Sequence, residues 1–420
     1  MLDAVSLRGS RSYHNIDYVK LVIFAHTPPP FHGQSYMVKL MLDGLRDREH
    51  GGEPNVQFFH VDAKLSSNLE AIGQFQWSKI FLILKYCAQA YWHRFIHGAD
   101  AIYYVPAPGL RAAVYRDWIV MFLCRPIFKK IILHWHASGL ADWLNTKGRP
   151  WERKITEWLL SGADLSIVLS EFNRADAARF SPRAIKVVPN GIPDPCPDFD
   201  KTVLPERFQR IRERREAKRT TFTILFLGAC TGAKGLFAAL DATETLNRRF
   251  RARESPIDIR LFIAGEFASN EERQRFEQRV ERLTNVSPET TGKLPMVEYK
   301  GFVSGEEKKR LFESADCLCF PSRYSAEAQP VTILEALAFG LPVVATRWRA
   351  IPEILADTGS RLIDDQNPAA IADALENLAT DDISLKCRQV FLSRYRVDQY
   401  INNLAQAFVK LESDRTTLTD

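Results

Sequence analysis

The sequence predicts an α/β protein of two βα domains built on parallel sheets and facing each other across a cleft. Three observations carry that expectation. Short apolar runs of strand length alternate with helix-length segments along the chain. The first such run in each half empties into a glycine-bearing loop followed by an apolar-periodic helix, and a proline-dense stretch divides the halves.

In the first half, Val19 to Ala25 reads as a buried strand, His26 to Ser35 as a loop and Tyr36 to Leu45 as a helix. Further strands are expected at Asn55 to Phe59, Ala101 to Val105, Lys130 to Trp135 and Leu165 to Leu169. Pro189 to Pro205 is too rich in proline for regular structure and reads as the interdomain linker, and the charge-dense Glu206 to Arg219 as a solvated helix or loop. Phe222 to Leu227 opens the second half, the loop Gly228 to Gly235 follows, and strands are expected at Ile257 to Ala264, Val297 to Tyr299, Cys317 to Phe320, Pro342 to Ala345 and Arg361 to Ile363. The resulting divisions are 1–189, 190–220, 221–385 and a C-terminal helix and tail, 386–420. In that last segment Val390, Phe391, Tyr395, Leu404, Phe408 and Leu411 keep helical spacing, so it can pack on either domain, and its polar end is expected to fray.

The 420 residues, 46% hydrophobic and 25% charged, suffice for two large cores. Fifty-six Lys and Arg against 51 Asp and Glu leave +5, which calls for no polyanionic partner, and nucleic acid is not expected to bind. Seven scattered cysteines without a C-x-x-C pair fit reduced thiols. Met1 to Lys20 has no apolar h-region, and the longest apolar stretches, Ile80 to Leu84 and Trp118 to Cys124, fall short of the ~20 residues that span a bilayer. A cytoplasmic chain is expected. Trp77 to Tyr86 and Tyr91 to Ile96 mix aromatic and basic residues; the segment reads as a core helix or as a face for anionic lipid.

The most informative stretch runs from Ser325 to Ala345. Pro330 suits a helix start and Gly340 its stop, and the unpaired N–H groups and positive dipole end of a helix that starts there suit an anion such as a diphosphate. Glu327 precedes this helix and Glu335 lies more than a turn inside it, so the two carboxylates can contact different parts of one elongated ligand.

Glu327 and Glu335 with the flank Leu-Glu-Ala-Leu-Ala-Phe-Gly-Leu-Pro-Val-Val-Ala, followed by Ile351-Pro352-Glu353-Ile354, resemble the E-x7-E motif of retaining glycosyltransferases with the GT-B fold, most closely family 4. The resemblance implies two Rossmann-like domains, the first binding acceptor and the second a sugar nucleotide, with the C-terminal helix returning to the first. It implies that Glu335 binds the ribose, that Glu327 faces the donor sugar, and that Gln329, Pro330 and Val331 line the donor site. The loop Gly228 to Gly235 is similar to the family loop carrying a basic pair for the diphosphate. Lys234 matches its lysine, but Ala229 stands where many members have arginine, and Arg323 is the candidate substitute. Tyr299 to Glu306, with Val303, resembles the segment whose backbone meets the nucleobase, leaving uridine and guanosine open.

Gly33, in the first glycine loop, is expected at the donor phosphates or acceptor. The strand Lys130 to Trp135 ends in histidines on one face, where parallel sheets present functional groups. The resemblance favours His136 as a sugar or transition-state contact supported by His134. No third metal ligand follows from their spacing, and Asp198-Phe199-Asp200 sits in the linker, so neither metal nor other cofactor is expected. The implied reaction moves a hexose-like sugar from a nucleoside diphosphate to a hydroxyl of a saccharide or lipid-linked saccharide, with retention, in polysaccharide or glycolipid assembly; the lipid-facing alternative for Trp77 to Ile96 would add peripheral contact to the inner membrane leaflet. Its rivals are a sugar-nucleotide epimerase on the same fold and a non-catalytic sugar-nucleotide-binding subunit.

Overall fold

The structure, a computed structural model, describes residues 19–29, 32–50, 56–65, 77–285 and 295–416. The polar start before Val19, Pro30 and Phe31 of the first glycine loop, Asn55 and residues 417–420 lie outside the described residues.

The N-terminal lobe runs β1 (Val19–Phe24), α1 (Gly33–His50), β2 (Val56–Val61), α2 (Trp77–Ile96), β3 (Ala101–Tyr104), α3 (Arg111–Cys124), β4 (Lys130–Trp135), α4 (Leu140–Thr146), α5 (Pro150–Leu160), β5 (Leu165–Val168), α6 (Arg174–Ala178) and β6 (Ile185–Val187). The second lobe comprises α7 (Val203–Arg215), β7 (Thr220–Leu227), α8 (Leu236–Ala252), β8 (Ile257–Ala264), α9 (Asn270–Asn285), β9 (Val297–Gly301), α10 (Gly305–Ser314), β10 (Cys317–Phe320), α11 (Val331–Ala338), β11 (Val343–Thr346), α12 (Ile351–Ile354), β12 (Arg361–Ile363) and α13 (Pro368–Leu378). Helices α14 (Ser384–Arg394) and α15 (Val397–Thr416) close the described chain.

Each lobe holds a six-stranded parallel sheet, ordered β2-β1-β3-β4-β5-β6 and β12-β11-β10-β7-β8-β9. The order reverses at β1 in the first sheet and β7 in the second, and the glycine loops follow those two strands. Loops at such reversals splay apart and leave a crevice at the carboxyl ends of the strands, which positions the site.

One apolar core is continuous between the lobes. It joins Leu21, Met37, Tyr103 and Val188 of the first, through Ile192 and Phe199 of the linker, to Leu225, Ile333 and Phe391 of the second. Helix α14 packs on α11, whereas α15 lies against α1, β1 and β2, so the expected return of the C-terminal helix to the N-terminal lobe is observed.

Two elements differ from expectation. Strand β6 was not foreseen, since Lys186 interrupts its two half-buried apolar residues and leaves no apolar run to read. The charged segment 206–219 is helical up to Arg215 and mostly exposed, as expected, but Arg207 and Arg214 of α7 are buried against expectation. Arg207 donates to Phe339 O (2.6 Å) and Phe312 O (3.3 Å), and Arg214 donates to Ala379 O (2.6 Å) and pairs with Asp316 (3.2 Å). These carbonyls belong to the C-terminal turns of α11, α10 and α13, whose orphan acceptors and negative dipole ends draw guanidinium groups inward.

Candidate active site

Helix α11 starts as its sequence requires, with Pro330 as N-cap and Gly340 beyond the C-cap at φ +57°. Just before this helix in the chain, Glu327 Oε2 lies 2.6 Å from Lys234 Nζ and also accepts from Ser322 Oγ (2.7 Å). The ammonium also stands 4.8 Å from the Tyr324 ring centroid. The glycine loop is locked beneath them. Gly235 has φ +87°, and a Cβ there would lie 2.4 Å from Pro321 O, so only glycine lets the loop pack this closely. Arg323 N–H donates to Ala233 O (2.8 Å), and Gly228 N–H to Ala264 O (3.0 Å) at the end of β7.

One helical turn deeper, Glu335 is gripped by Lys308 Nζ at 2.6 Å. Burial raises the Glu335 carboxyl above its ordinary range while Lys308 opposes the shift. Lys308 rises from α10, directly after the segment holding buried Val303, so this pair ties the expected ribose contact to the expected base contact. Tyr36 of the first lobe senses Glu335: burial and then that carboxylate raise its phenol.

The two helix starts touch. A methyl on Gly33 would stand 3.7 Å from Val331 Cγ2, so the N-termini of α1 and α11 bring their N–H groups and positive dipole ends to one place. Gln329 is placed differently from the other candidates: its Oε1 accepts from Asn190 N–H (2.6 Å), fastening the linker. Arg323 donates to Asp364 O (2.6 Å) and lies over the Trp348 ring (5.4 Å), while Ala229 is exposed, so the expected substitute guanidinium is engaged elsewhere than on Lys234.

Across the cleft, β4 delivers His134 and His136 with ring centroids 4.0 Å apart. The Tyr103 hydroxyl lies 2.7 Å from His134 Nδ1 and 3.4 Å from His136 Nε2. His134 Nε2 is buried with no hydrogen-bond partner among the described residues. Beside them, at the end of β1, His26 and His32 approach at 2.9 Å between Nε2 atoms. His32 Nδ1 accepts from Ser35 N–H (3.4 Å), which leaves its Nε2–H to donate to His26. Burial, then neighbouring imidazoles, push His136 down to about 3; burial, then His32 and Arg116, push His26 down to about 4. His32 and His134 are lowered as well, chiefly by burial, so the cluster is neutral near pH 7. Among the described residues no three His, Cys, Asp or Glu groups are arranged to hold a metal. Asp198 and Asp200 are exposed on a linker turn around buried Phe199, which stacks under Arg388.

The lobes meet along a seam beside these groups. Ser138 N–H donates to Ala326 O (3.3 Å), which brings the His136 loop against the Glu327 loop. Glu353 accepts from the N–H groups of Glu171 (3.0 Å) and Phe172 (3.2 Å), and Arg349 pairs with Asp142 (3.0 Å). Reading the sequence missed Lys308, His26 and Tyr103. The rule that singled out His136, a polar residue at the carboxyl end of a parallel strand, applies equally to His26; nothing in the spacing marks Lys308.

Residues 207–391 match the family described as Glycosyl transferases group 1. The chain is similar to a D-inositol 3-phosphate glycosyltransferase of Corynebacterium urealyticum, 28% identical over 196 residues, covering 46% of this chain and 43% of the relative. It is also similar to a phosphatidyl-myo-inositol mannosyltransferase of Mycobacterium leprae, 29% identical over 180 residues and covering 42% of each. The chain thus spans less than half the length of these relatives. In three dimensions it superposes on Anabaena HepE in complex with UDP with a TM-score of 0.63 at 16% identity, covering 93% of this chain and 100% of that one.

Proposed function

We propose, for a chain whose residues 207–391 match the group 1 glycosyltransferases and whose two lobes take the GT-B fold, that it moves a sugar from a nucleoside diphosphate to a hydroxyl acceptor with retention of configuration, as in family 4. One observation carries this: Lys234 grips Glu327, which lies just before α11 in the chain, and the start of α1 in the other lobe comes against the start of α11. A diphosphate lodged there meets an ammonium and two sets of backbone donors. Charge developing on the departing phosphate oxygen is stabilised without reorganisation, and this charge balance requires no metal or other cofactor.

In the reaction we assign, the acceptor hydroxyl attacks the anomeric carbon as the bond to the diphosphate oxygen breaks, and its proton passes to that leaving oxygen. Glu327 faces the sugar, with Ser322 and Lys234 fixing its carboxylate. Glu335 holds the ribose and Val303 lies at the base. His136 offers the sugar a neutral imidazole. The uridine nucleotide is the first donor to test because the similar Anabaena HepE is complexed with UDP. The acceptor is a saccharide or lipid-linked saccharide, and the names of the relatives, which act on inositol phosphate and phosphatidyl-inositol, keep glycolipid assembly alongside polysaccharide assembly. The place of work is the cytoplasm and the inner leaflet.

The test is a thermal-shift panel of UDP and GDP followed by product analysis in the presence of a chelator. Ligand at ~100 times its dissociation constant adds about 2.7 kcal/mol. Glu335→Ala should remove the shift, and free nucleoside diphosphate should appear only with an acceptor. An unchanged shift in Glu335→Ala sinks the site assignment. A second reading, a non-catalytic sugar-nucleotide-binding subunit, draws on Ala229 and on Arg323 being bonded to Asp364. Nucleotide binding without turnover across an acceptor panel would select it.

A further inference from the structure

No helix among the described residues is long and apolar enough to cross a membrane, yet α2 is apolar on two sides. Its inner face, Ile83, Cys87 and Ala90, is buried in the core of the N-terminal lobe. Its outer face repeats at helical spacing through Phe81, Leu84, Trp92, Phe95 and Ile96, with Phe81 72% and Phe95 67% exposed. A helix apolar all round is normally covered on every side, and this one spans 20 residues or about 30 Å.

The surface extends beyond α2. Helix α3 packs between α2 and α5. Their carboxyl ends are stitched by Tyr91 OH donating to Leu123 O (2.7 Å) and Arg125 Nη1 donating to Leu159 O (3.0 Å). That alignment sets Phe122, 59% exposed, beside Trp158, 66% exposed, with ring centroids 6.3 Å apart. Exposed apolar area of this extent on several neighbouring helices marks an interaction surface, not scattered exposure.

Charge selects the occupant. Helix α2 contains no carboxylate at all. Asp117 of α3 and Glu152 of α5 are buried, and Glu157 of α5 is engaged by Arg179 at 2.6 Å. Lys85 and Lys154, in contrast, stand exposed on the same helices. Aromatic side chains among cations, with no unpaired carboxylate on the three helices, match an anionic lipid surface: rings enter the headgroup boundary and lysines stay at its charge.

We infer that the outer face of α2, α3 and α5 docks this protein on an anionic lipid bilayer. The inference deepens the lipid-linked acceptor reading and rests on it for its purpose, since docking would hold the cleft beside acceptors embedded in the leaflet. The full chain is to be sedimented, without donor or acceptor, with vesicles of phosphatidylglycerol and phosphatidylcholine and with vesicles of phosphatidylcholine alone.

Binding is expected to the anionic vesicles, to weaken with added salt, and to fall at least about tenfold in the double variant Trp92→Ser, Phe95→Ser and severalfold in Lys85→Glu. These side chains are exposed, so an unchanged melting temperature and an unchanged UDP shift show the variants folded. Equal sedimentation with and without anionic lipid, or binding indifferent to both variants, overturns the proposal. So does a concentration-dependent dimer of the native chain that the double variant abolishes, which would give the face to a second copy. Because no substrate is present, failure here leaves the transfer reading standing, and loss of the UDP shift in Glu335→Ala is judged separately.

Discussion

The two lobes meet the cleft with opposite electrostatics. On the C-terminal side the two carboxylates expected at the donor are each held by a counter-charge, Glu327 by Lys234 and Glu335 by Lys308, both at 2.6 Å. On the N-terminal side the groups are imidazoles, crowded and buried so that protons are driven off them. In the proposed reaction the anion would be gripped where ions are preformed, and the uncharged sugar met by neutral donors and acceptors that do not compete for the phosphates. A lobe that binds charge and a lobe that avoids it can share one ligand without either displacing it.

The largest expected effect lies on the charged side. Lys234→Ala should lower kcat by about a hundred- to a thousandfold while nucleotide binding weakens far less, because its ammonium acts on charge that develops as the bond breaks. Equal losses in kcat and in UDP affinity would make Lys234 a mere binding contact and erase the contrast.

Next comes the neutral side. His136→Gln should slow transfer by about tenfold with the UDP shift intact. It should also alter acid stability. Folding depresses His136 from its free value of 6.5 to about 3, so below pH 6.5 the unfolded chain binds a proton that the native state does not. Stability is therefore full above about pH 6.5 and is lost toward pH 3, by at most about 1.4 kcal/mol per pH unit for each such histidine. Urea denaturation at pH 7 and pH 5 should show a smaller drop for His136→Gln than for the native chain; an identical drop would mean the imidazole is not held neutral.

The smallest effect is expected at the seam between them. Glu353→Gln keeps an acceptor for the Glu171 and Phe172 N–H groups but removes its charge, and should cost less than about 1 kcal/mol in the same denaturation. A larger loss would mean that the lobes are coupled through this carboxylate more tightly than an exposed contact allows.

Much of this was legible beforehand. Strand runs, the two loops and the E-x7-E stretch are local signals, and Lys234, Glu327 and Gly33 lie in segments whose chemistry is written in a few consecutive residues. What could not be read depends on which helix ends come together. Arg207 and Arg214 look solvated in a run of charges until the carbonyl ends of α10, α11 and α13 are seen around them. Lys308 sits in a run of mixed charges from Glu306 to Arg310, and its partner is 27 residues away on another helix. The direction of Arg323, toward Asp364, is likewise a matter of tertiary placement.

The return of α15 has a temporal side. Phe408 lies edge-on to Tyr103 at 6.1 Å between centroids, and that tyrosine carries the hydrogen bond to His134. A ribosome emits the first lobe hundreds of residues before the segment that completes it. Until then the nascent domain exposes an unfilled groove beside β1 and β2, and newly made chains are most vulnerable to aggregation while translation of the second lobe is still under way.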